Sequence, residues 1–341
     1  MLKKKTFHFS LLGVISSVFV AIPLFFWFHT SEAEYRVNWG VNFSASQAEY
    51  LGLDANETYD AIIQELGAKQ IKIHTNWNAT EIKNNVYDFS TLDHQVAEAE
   101  KHNVKLILVI GMKTGRWPEC HTPEWFLSVP EEEQEDEIIQ YVRTLAFRYK
   151  DSKAVEFWQI ENEPFLEFGT CPDWYYEDSP ARVAKEIEAV RDIDPSRKII
   201  VSESGELSDW TTAAELADIV GVTMYRSTWN DVEETFGLNP YTFLTPQFYS
   251  AKATYIQQVY GKPVISIELQ AEPWTAKPLA ESKLEIQAQS MNPELFKENV
   301  DFARQVGLDS YYFWGAEWWY WMKTKHNQPE IWDLAGDVLA E

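Results

Sequence analysis

The segment VEFWQIENEP, residues 155–164, contains a short strand-like run that is followed by Glu163 and then Pro164. Proline cannot continue the hydrogen-bonded ladder of a sheet, so Pro164 predicts that the strand stops there with Glu163 at its tip. The segment PVISIE, residues 263–268, repeats the pattern and ends at Glu268. The chain therefore carries two carboxylates, each expected at the carboxyl end of a buried strand.

Outward from these two segments, short β-rich runs alternate with helical patterns along the chain. Several runs are almost continuously apolar, which is typical of strands covered on both faces. Ser179-Pro180 and Asn292-Pro293 indicate helix starts, and Gly307 indicates a helix end. The eight predicted strands are Arg36–Phe43, Gln70–His74, Lys105–Ile110, Ala154–Glu161, Lys198–Glu203, Ile219–Tyr225, Pro263–Glu268 and Ser310–Trp314.

Eight strand–helix units within residues 35–341 predict an α/β protein, a single (β/α)8 TIM barrel that forms one catalytic domain. The alternative is a doubly wound open sheet, but no glycine-rich phosphate loop follows the first predicted strand. In a barrel, the loops that follow the strands build the active site. We therefore expect Glu163 and Glu268 at the same mouth of the barrel.

Residues 1–34 are predicted to be an N-terminal membrane anchor or signal segment. Three lysines at positions 3–5 precede an apolar run, residues 11–28, which is near the lower length limit for crossing a bilayer. The cleavage pattern at residues 31–33 is poor, which favours an uncleaved transmembrane anchor with the barrel on the extracytoplasmic side. A cleaved signal peptide and a secreted barrel are the alternative.

The formal net charge of −24 argues against nucleic acid and anionic lipid as partners and suits a neutral substrate. Membrane contact is expected through the N-terminal segment only. Aromatic residues make up 15% of the chain, including 15 Trp. Because sugars present flat C–H faces that pack on aromatic rings, this excess indicates a carbohydrate substrate as readily as it indicates a large aromatic core.

Two cysteines and seven histidines restrict the metal chemistry that the chain can support. Cys120 and Cys171 fall in the loops after strands three and four, where export would permit a disulfide; two free thiols are the alternative. Their spacing matches no metal motif. The histidines form no His-x-His pair, which argues against a metal-dependent barrel hydrolase. The sequence therefore predicts neither a metal nor another cofactor.

Glu163 and Glu268 suit one reaction class. Glycoside hydrolysis needs two carboxyl groups that flank the scissile bond, and in retaining enzymes they lie about 5–5.5 Å apart while one attacks the anomeric carbon. Glu272 is a competing nucleophile, but it lies in a loop, and strand ends hold side chains more rigidly. Glu161 shares a face with Glu163 and is expected to be the buried partner of a base such as Lys72. A salt bridge at the barrel rim is the alternative for Glu163.

The Asn-Glu-Pro motif at residues 162–164, a Glu at the end of strand seven and a Trp on strand eight resemble the clan A glycoside hydrolases. That clan includes cellulases, mannanases and β-galactosidases. The resemblance implies that Glu163 is the general acid and then the general base, and that Glu268 is the nucleophile. It implies a retaining glycosidase that cleaves β-glycosidic bonds.

The resemblance also implies three further contacts. Asn162 would bind the sugar 2-hydroxyl, Tyr225 would hydrogen-bond the nucleophile, and Trp314 would lie under the sugar whose bond breaks. Two departures concern strand two, where many clan members carry Arg and this chain has Lys72 and His74. A third concerns strand six, which lacks the His that often precedes its Tyr.

Aromatic residues crowd the segments that follow the predicted strands, and we expect part of them to be sugar platforms and the rest to pack loops together. Trp117 after strand three and Trp318 after strand eight are the substrate-binding candidates, and Trp229 follows strand six. A transglycosylase would use the same residues. A non-catalytic carbohydrate-binding surface protein is the other alternative; loss of a key carboxylate would indicate it, and both carboxylates are present.

Overall fold

The computed structural model describes residues 37–228 and 240–341, so segment 1–34 and Trp229 lie outside the described residues. Eight parallel strands close into a barrel, in the order β1-β8-β7-β6-β5-β4-β3-β2. They are β1 Asn38–Phe43, β2 Gln70–His74, β3 Lys105–Ile110, β4 Val155–Ile160, β5 Lys198–Glu203, β6 Ile219–Met224, β7 Val264–Gln270 and β8 Ser310–Trp314. This closure confirms the predicted (β/α)8 TIM barrel and excludes the open sheet.

Helices connect successive strands and cover the barrel. They are α1 Ala45–Tyr50, α2 Ala55–Gln64, α3 Trp77–Thr80, α4 Ser90–His102, α5 Glu131–Tyr149, α6 Ser179–Arg191, α7 Thr211–Leu216, α8 Pro246–Tyr260, α9 Leu284–Ser290, α10 Pro293–Val306, α11 Ala316–His326 and α12 Glu330–Leu339. Short 3-10 turns occur at Glu124–Ser128, Asp173–Tyr176, Pro240–Phe243 and Leu279–Glu281. Within the described ranges, no helix has the length and apolarity needed to cross a bilayer.

Helix α10 shows how local sequence sets these elements. Asn292 caps its start by accepting two backbone N–H groups, and a proline occupies the first turn. Phe296, Val300 and Ala303 follow at helical spacing and are buried on one face. Gly307 ends the helix with a φ of +79°, a conformation that glycine adopts without steric cost.

All eight predicted strands are present, and two of their ends differ in a way that affects the mouth. Strand β4 stops at Ile160, because Glu161 and Glu163 have φ values of +57° and +45° and leave the ladder. Strand β7 instead continues past Glu268 to Gln270. Glu163 therefore lies on an irregular turn above its strand, whereas Glu268 lies within one.

The barrel interior is filled toward its amino-terminal end. A separate group of buried apolar side chains comes from strands alone: Ile107, Ile200, Ile219, Ile265, Ile267 and Tyr312. The Tyr312 hydroxyl donates to Gln70, at the start of β2, at 2.8 Å. Gly40 leaves room for this ring, since a Cβ there would come within 2.7 Å of it. Because the amino-terminal end of the barrel is filled, a substrate site is expected at the carboxyl ends of the strands.

A disulfide joins the loops that follow β3 and β4. Cys120 and Cys171 are bonded, with Cα atoms 5.2 Å apart, which confirms the disulfide rather than two free thiols. A small hairpin, Glu81–Lys83 with Val86–Tyr87, follows β2. Its arms are too short to be predicted from sequence periodicity.

Candidate active site

Glu268 is buried in β7, and two donors hold its carboxylate. Lys72 Nζ donates to Oε1 at 2.9 Å, and the Tyr225 hydroxyl donates to Oε2 at 2.7 Å. Lys72 is fully buried; burial lowers its pKa, and the Glu268 charge opposes that shift. A charged donor on one oxygen and a phenol on the other hold the carboxylate in a fixed orientation. Tyr225 thus makes the expected contact with Glu268.

Asn162 is oriented by two donors on its amide oxygen. Lys72 Nζ and Gln159 Nε2 each donate to Oδ1 at 3.2 Å. Because an ammonium group can only donate, the amide oxygen must face Lys72, which leaves the Asn162 NH2 group as a donor for substrate. This orientation fits the expected contact with a sugar hydroxyl. Lys72 links Asn162 to Glu268 as a single unit.

Lys72 and His74, the two departures on β2, contact different groups. They are two residues apart on one strand and therefore share a face. Lys72 reaches the Glu268 carboxylate, whereas His74 contacts the Thr114 carbonyl and, at 3.1 Å, the Asn42 amide oxygen. Lys72 is therefore the cation that meets the candidate nucleophile.

Glu163 is partly buried beyond the end of β4, on backbone that other elements hold in place. Its N–H donates to Ser202 Oγ at 2.8 Å, and its carbonyl accepts from Lys113 Nζ at 3.0 Å. Its Oε1 accepts from the Thr223 hydroxyl at 3.1 Å. Burial first, and then the Glu268 charge, raise the pKa of Glu163 to about 8. The side chain is protonated at neutral pH, as a general acid requires.

Glu163 and Glu268 are both neighbours of Thr223. Thr223 on β6 is the register partner of Glu268 on β7, and its hydroxyl contacts Glu163. Among neighbouring charges, that of Glu268 has the largest effect on the pKa of Glu163. The mouth therefore pairs a protonated carboxyl group with a carboxylate held by donors.

Arg116, which was not predicted as a site residue, connects three segments of the mouth. Its guanidinium donates to Glu272 and, at 2.9 Å, to Glu317, and it lies 4.0 Å above the Trp314 ring. Glu272 is thus the ion-pair partner of Arg116. This contact favours Glu268 over Glu272 as the nucleophile, because the Glu272 carboxylate is directed to a cation on another loop.

Glu161 is buried as expected, but its base is Arg182 rather than Lys72. Arg182 lies 3.4 Å from Glu161 Oε1, and the Tyr175 hydroxyl donates to Oε2 at 2.9 Å. Two backbone N–H groups of the loop after β3 donate to the same carboxylate at 3.0 and 2.5 Å. The positive φ of Glu161 turns it away from Lys72, so it anchors this loop to the end of β4.

A third carboxyl group, Glu119, lies near the pair and was not predicted. Burial raises its pKa to about 8; Lys113 opposes the shift, and the charges of Glu268 and Glu163 add to it. Its φ of +75° places it on a tight turn directly before Cys120. Only the fold brings this loop residue to the mouth, since nothing in the local sequence marks it.

The three expected tryptophan contacts have different outcomes. Trp314 is 8% exposed, with Lys72 Nζ 6.0 Å from its ring, so it belongs to the mouth. Trp117 lies at the rim and is 72% exposed. Trp318 is only 2% exposed, and its indole N–H donates to Gln287 at 2.7 Å, so its expected role as a sugar platform is wrong. The residues after β8 form helix α11 rather than an open loop, and the helix turns this ring inward.

Metal-ligating side chains do not converge in the described part of the chain, where no group of three or more His, Cys, Asp or Glu could hold a metal ion. The carboxylates of the mouth instead meet Lys72, Tyr225 and Arg116. Independence from metals and cofactors stays a prediction.

The closed barrel, with paired carboxyl groups at its carboxyl-terminal mouth, is the architecture expected of the clan A glycoside hydrolases. The family model for cellulase, glycosyl hydrolase family 5, matches residues 31–255. The chain belongs to glycosyl hydrolase family 5.

Similar proteins include hydrolases with different named substrates. Mannan endo-1,4-beta-mannosidase F of Aspergillus clavatus is 25% identical over 201 residues, covering 48% of this chain and 43% of that protein. Endo-1,4-beta-xylanase 2 of Claviceps purpurea is 27% identical over 173 residues, covering 49% of this chain and 50% of that protein. The chain thus spans about half the length of these curated relatives.

Solved structures show the same fold at low identity. Xylanase 10B of Thermotoga maritima has a TM-score of 0.60 and 14% identity, covering 89% of this chain and 95% of that chain. The β-galactosidase of Halorubrum lacusprofundi has a TM-score of 0.59 and 14% identity, covering 81% of this chain and 52% of that chain. At this identity the likeness shows the barrel alone.

Proposed function

We propose that the enzyme is a retaining glycosidase that cleaves β-glycosidic bonds in a poly- or oligosaccharide by double displacement. The observation that carries the proposal is the contrast between its two carboxyl groups. Glu268 accepts from Lys72 and Tyr225 at 2.9 and 2.7 Å, whereas the pKa of Glu163 is raised to about 8. Double displacement needs one ionised and one protonated carboxyl group.

In the first step, a Glu268 oxygen attacks the anomeric carbon. The glycosidic bond breaks as Glu163 gives its proton to the departing oxygen. In the second step, the Glu163 carboxylate takes a proton from water, whose oxygen attacks the same carbon and releases Glu268. The Asn162 NH2 group would donate to the sugar 2-hydroxyl, and Trp314 would lie under the ring. Two inversions at one carbon give net retention.

The charge of the protein favours a neutral glycan. The formal net charge of −24 repels an anionic sugar such as a uronic acid. Lys72, Lys113 and Arg116 are already engaged by protein oxygens, Lys113 by two backbone carbonyls. Because the curated relatives are named mannanase and xylanase, neutral mannan and xylan are the first glycans to test.

The stereochemistry of the product tests this proposal. The purified enzyme is incubated with aryl β-glycosides, β-1,4-mannan and β-1,4-xylan, and the first-formed anomer is observed by proton NMR before mutarotation. The β-anomer is expected, and it should be absent with Glu268→Ala. A first-formed α-anomer would mean inversion and would overturn the double-displacement mechanism, although the enzyme would still be a glycoside hydrolase.

We also propose that the barrel works outside the cytoplasm, tethered by residues 1–34. The lysine-plus-apolar pattern of that segment supports this location, as does the Cys120–Cys171 disulfide, because disulfides persist in oxidising compartments. Protease added to intact expressing cells should remove the barrel. A protected barrel that becomes sensitive only after lysis would contradict the location.

A further inference from the structure

The turn formed by residues 116–119, here called the rim turn, sends neighbouring side chains in opposite directions. The Glu119 N–H donates to the Arg116 carbonyl at 2.5 Å and closes the turn. Arg116 lies over Trp314, and Glu119 is buried within reach of the charges of the two catalytic candidates. Trp117, between them, stays 72% exposed. A turn that borders the catalytic mouth thus presents a bare indole ring beside it.

Trp117 differs from the other tryptophans of the described ranges, which are buried or half-buried. Among the described residues, its aromatic neighbour is Phe168, in the loop after β4, which is itself 42% exposed. The ring centroids are 6.5 Å apart and the planes meet at 72°. Two large apolar rings held open to solvent at the edge of a cleft are typical of a ligand-binding surface.

The pair does not owe its exposure to a loose loop, because the two loops are braced against each other. The Thr170 N–H donates to the Pro118 carbonyl at 2.9 Å, and the Cys120–Cys171 disulfide lies next to this contact. Gly169 has a φ of +97°, and a Cβ there would come within 2.5 Å of the Glu119 Cβ, so only glycine permits this approach.

Phe168 is held as firmly as the turn that it faces. The Tyr176 hydroxyl donates to the Phe168 carbonyl at 2.8 Å and accepts from its N–H at 3.2 Å. Rigid presentation matters because a preorganised ring loses little entropy when a ligand packs on it. The brace therefore keeps both rings in place for binding.

We propose that Trp117 and Phe168 form an aromatic platform that binds a pyranose ring of a neutral β-glycan, outside the position where the bond breaks. The proposal rests on the glycosidase function and adds to it a preference for longer chains. The C–H face of a sugar packs on the exposed indole, and the neighbouring Arg116 and Glu119 of the rim turn place the platform beside the catalytic mouth.

The experiment compares chain-length dependence in three variants of the full chain. The kcat/KM of wild type, Trp117→Ala and Phe168→Ala is measured on an aryl β-glycoside and on β-1,4-linked oligosaccharides of two to six units, in the manno or xylo series that the wild type cleaves. Phe147→Ala is the matched control, because Phe147 is 65% exposed but lies on helix α5. All three residues are exposed, so their truncation should leave the fold intact.

In wild type, kcat/KM should rise with chain length. Trp117→Ala should lower the ratio of hexasaccharide to aryl-glycoside kcat/KM about tenfold, mainly through KM, and Phe168→Ala should lower it about threefold. Phe147→Ala should keep the wild-type ratio. A wild-type ratio in Trp117→Ala, or no length dependence in wild type, would overturn the platform and leave the glycosidase function standing. Aryl-glycoside hydrolysis that survives Glu268→Ala would instead overturn the proposed function.

Discussion

The ends of β4 and β7 carry the same side chain at one barrel mouth and give it two different environments. Glu268 lies within a regular strand, and an ammonium group and a phenol occupy its two oxygens. Glu163 lies on left-handed backbone beyond its strand, and its carboxyl group accepts from the neutral hydroxyl of Thr223. Partners and burial, rather than residue type, thus distinguish the proposed nucleophile from the proposed proton donor.

Removal of Glu268 should have the largest effect. Glu268→Ala should lower kcat at least about 10⁴-fold on every substrate, since no glycosyl-enzyme can form. Glu272→Gln is the matched control: it weakens the pair with Arg116, keeps the nucleophile, and should lose less than about 100-fold. Initial rates on an aryl β-glycoside measure both. If the two variants exchanged these results, Glu272 would be the nucleophile.

Removal of Glu163 should separate the two steps of the reaction. Glu163→Ala should lose about 10²- to 10⁴-fold on a glycan, whose poor leaving group needs protonation. On an aryl glycoside with a good leaving group, the first step should largely survive and the second should be slow. Azide needs no base, so it should restore turnover and yield a β-glycosyl azide. An α-glycosyl azide, or no rescue by azide, would contradict the assigned role.

A smaller effect is expected when the donor to Glu268 changes. Lys72→Met removes the charged donor to both Glu268 and Asn162, so kcat should fall about 10- to 100-fold and the acid limb of the pH profile should move to higher pH. Lys72→Arg should recover part of the rate, because it keeps a cation there. Thermal unfolding controls for loss of structure. A Lys72→Met pH profile that superimposes on wild type would show that Lys72 does not position the carboxylate.

The smallest effect concerns the proton on Glu163. Because its pKa is raised to about 8, kcat/KM should fall as pH rises through about 8. Glu206 accepts from the Tyr225 N–H and the Tyr249 hydroxyl, each at 2.9 Å, and its charge adds to the raised pKa of Glu163. Glu206→Gln should therefore move this alkaline limb to lower pH by a fraction of a unit. A shift to higher pH, or no alkaline limb in wild type, would contradict the assignment.

The fold and the positions of the two candidate carboxyl groups could be predicted because both depend on local patterns. Continuous apolar runs of strand length indicate strands covered on both faces, and Pro164 marks where one of them stops. Barrel geometry then places the acid at the end of each of these strands at the same mouth. The cysteine pair could be proposed for the same reason, since loops after neighbouring strands lie side by side.

The remaining site residues depend on contacts between loops, which one sequence does not encode locally. Arg116 meets Glu272 and Glu317 only because the loop after β3 crosses to the loop after β7 and to the start of helix α11. Trp318 was expected to bind substrate after strand eight, but helix α11 begins at Ala316 and turns the ring inward. The predicted partner of Glu161, Lys72, was also wrong, because strand β4 ends one residue earlier than the sequence pattern indicates.

The most direct test of the account is the identity of the residue that becomes glycosylated. Glu163→Ala is incubated with a dinitrophenyl 2-deoxy-2-fluoro-β-glycoside, and the intact protein and its peptides are analysed by mass spectrometry. One added sugar per chain is expected, located on Glu268, because the first step proceeds and the second lacks its base. An adduct on Glu272 would show that Glu272, and not Glu268, is the nucleophile. Turnover of the parent aryl glycoside without any adduct from the fluorosugar would contradict the double-displacement mechanism.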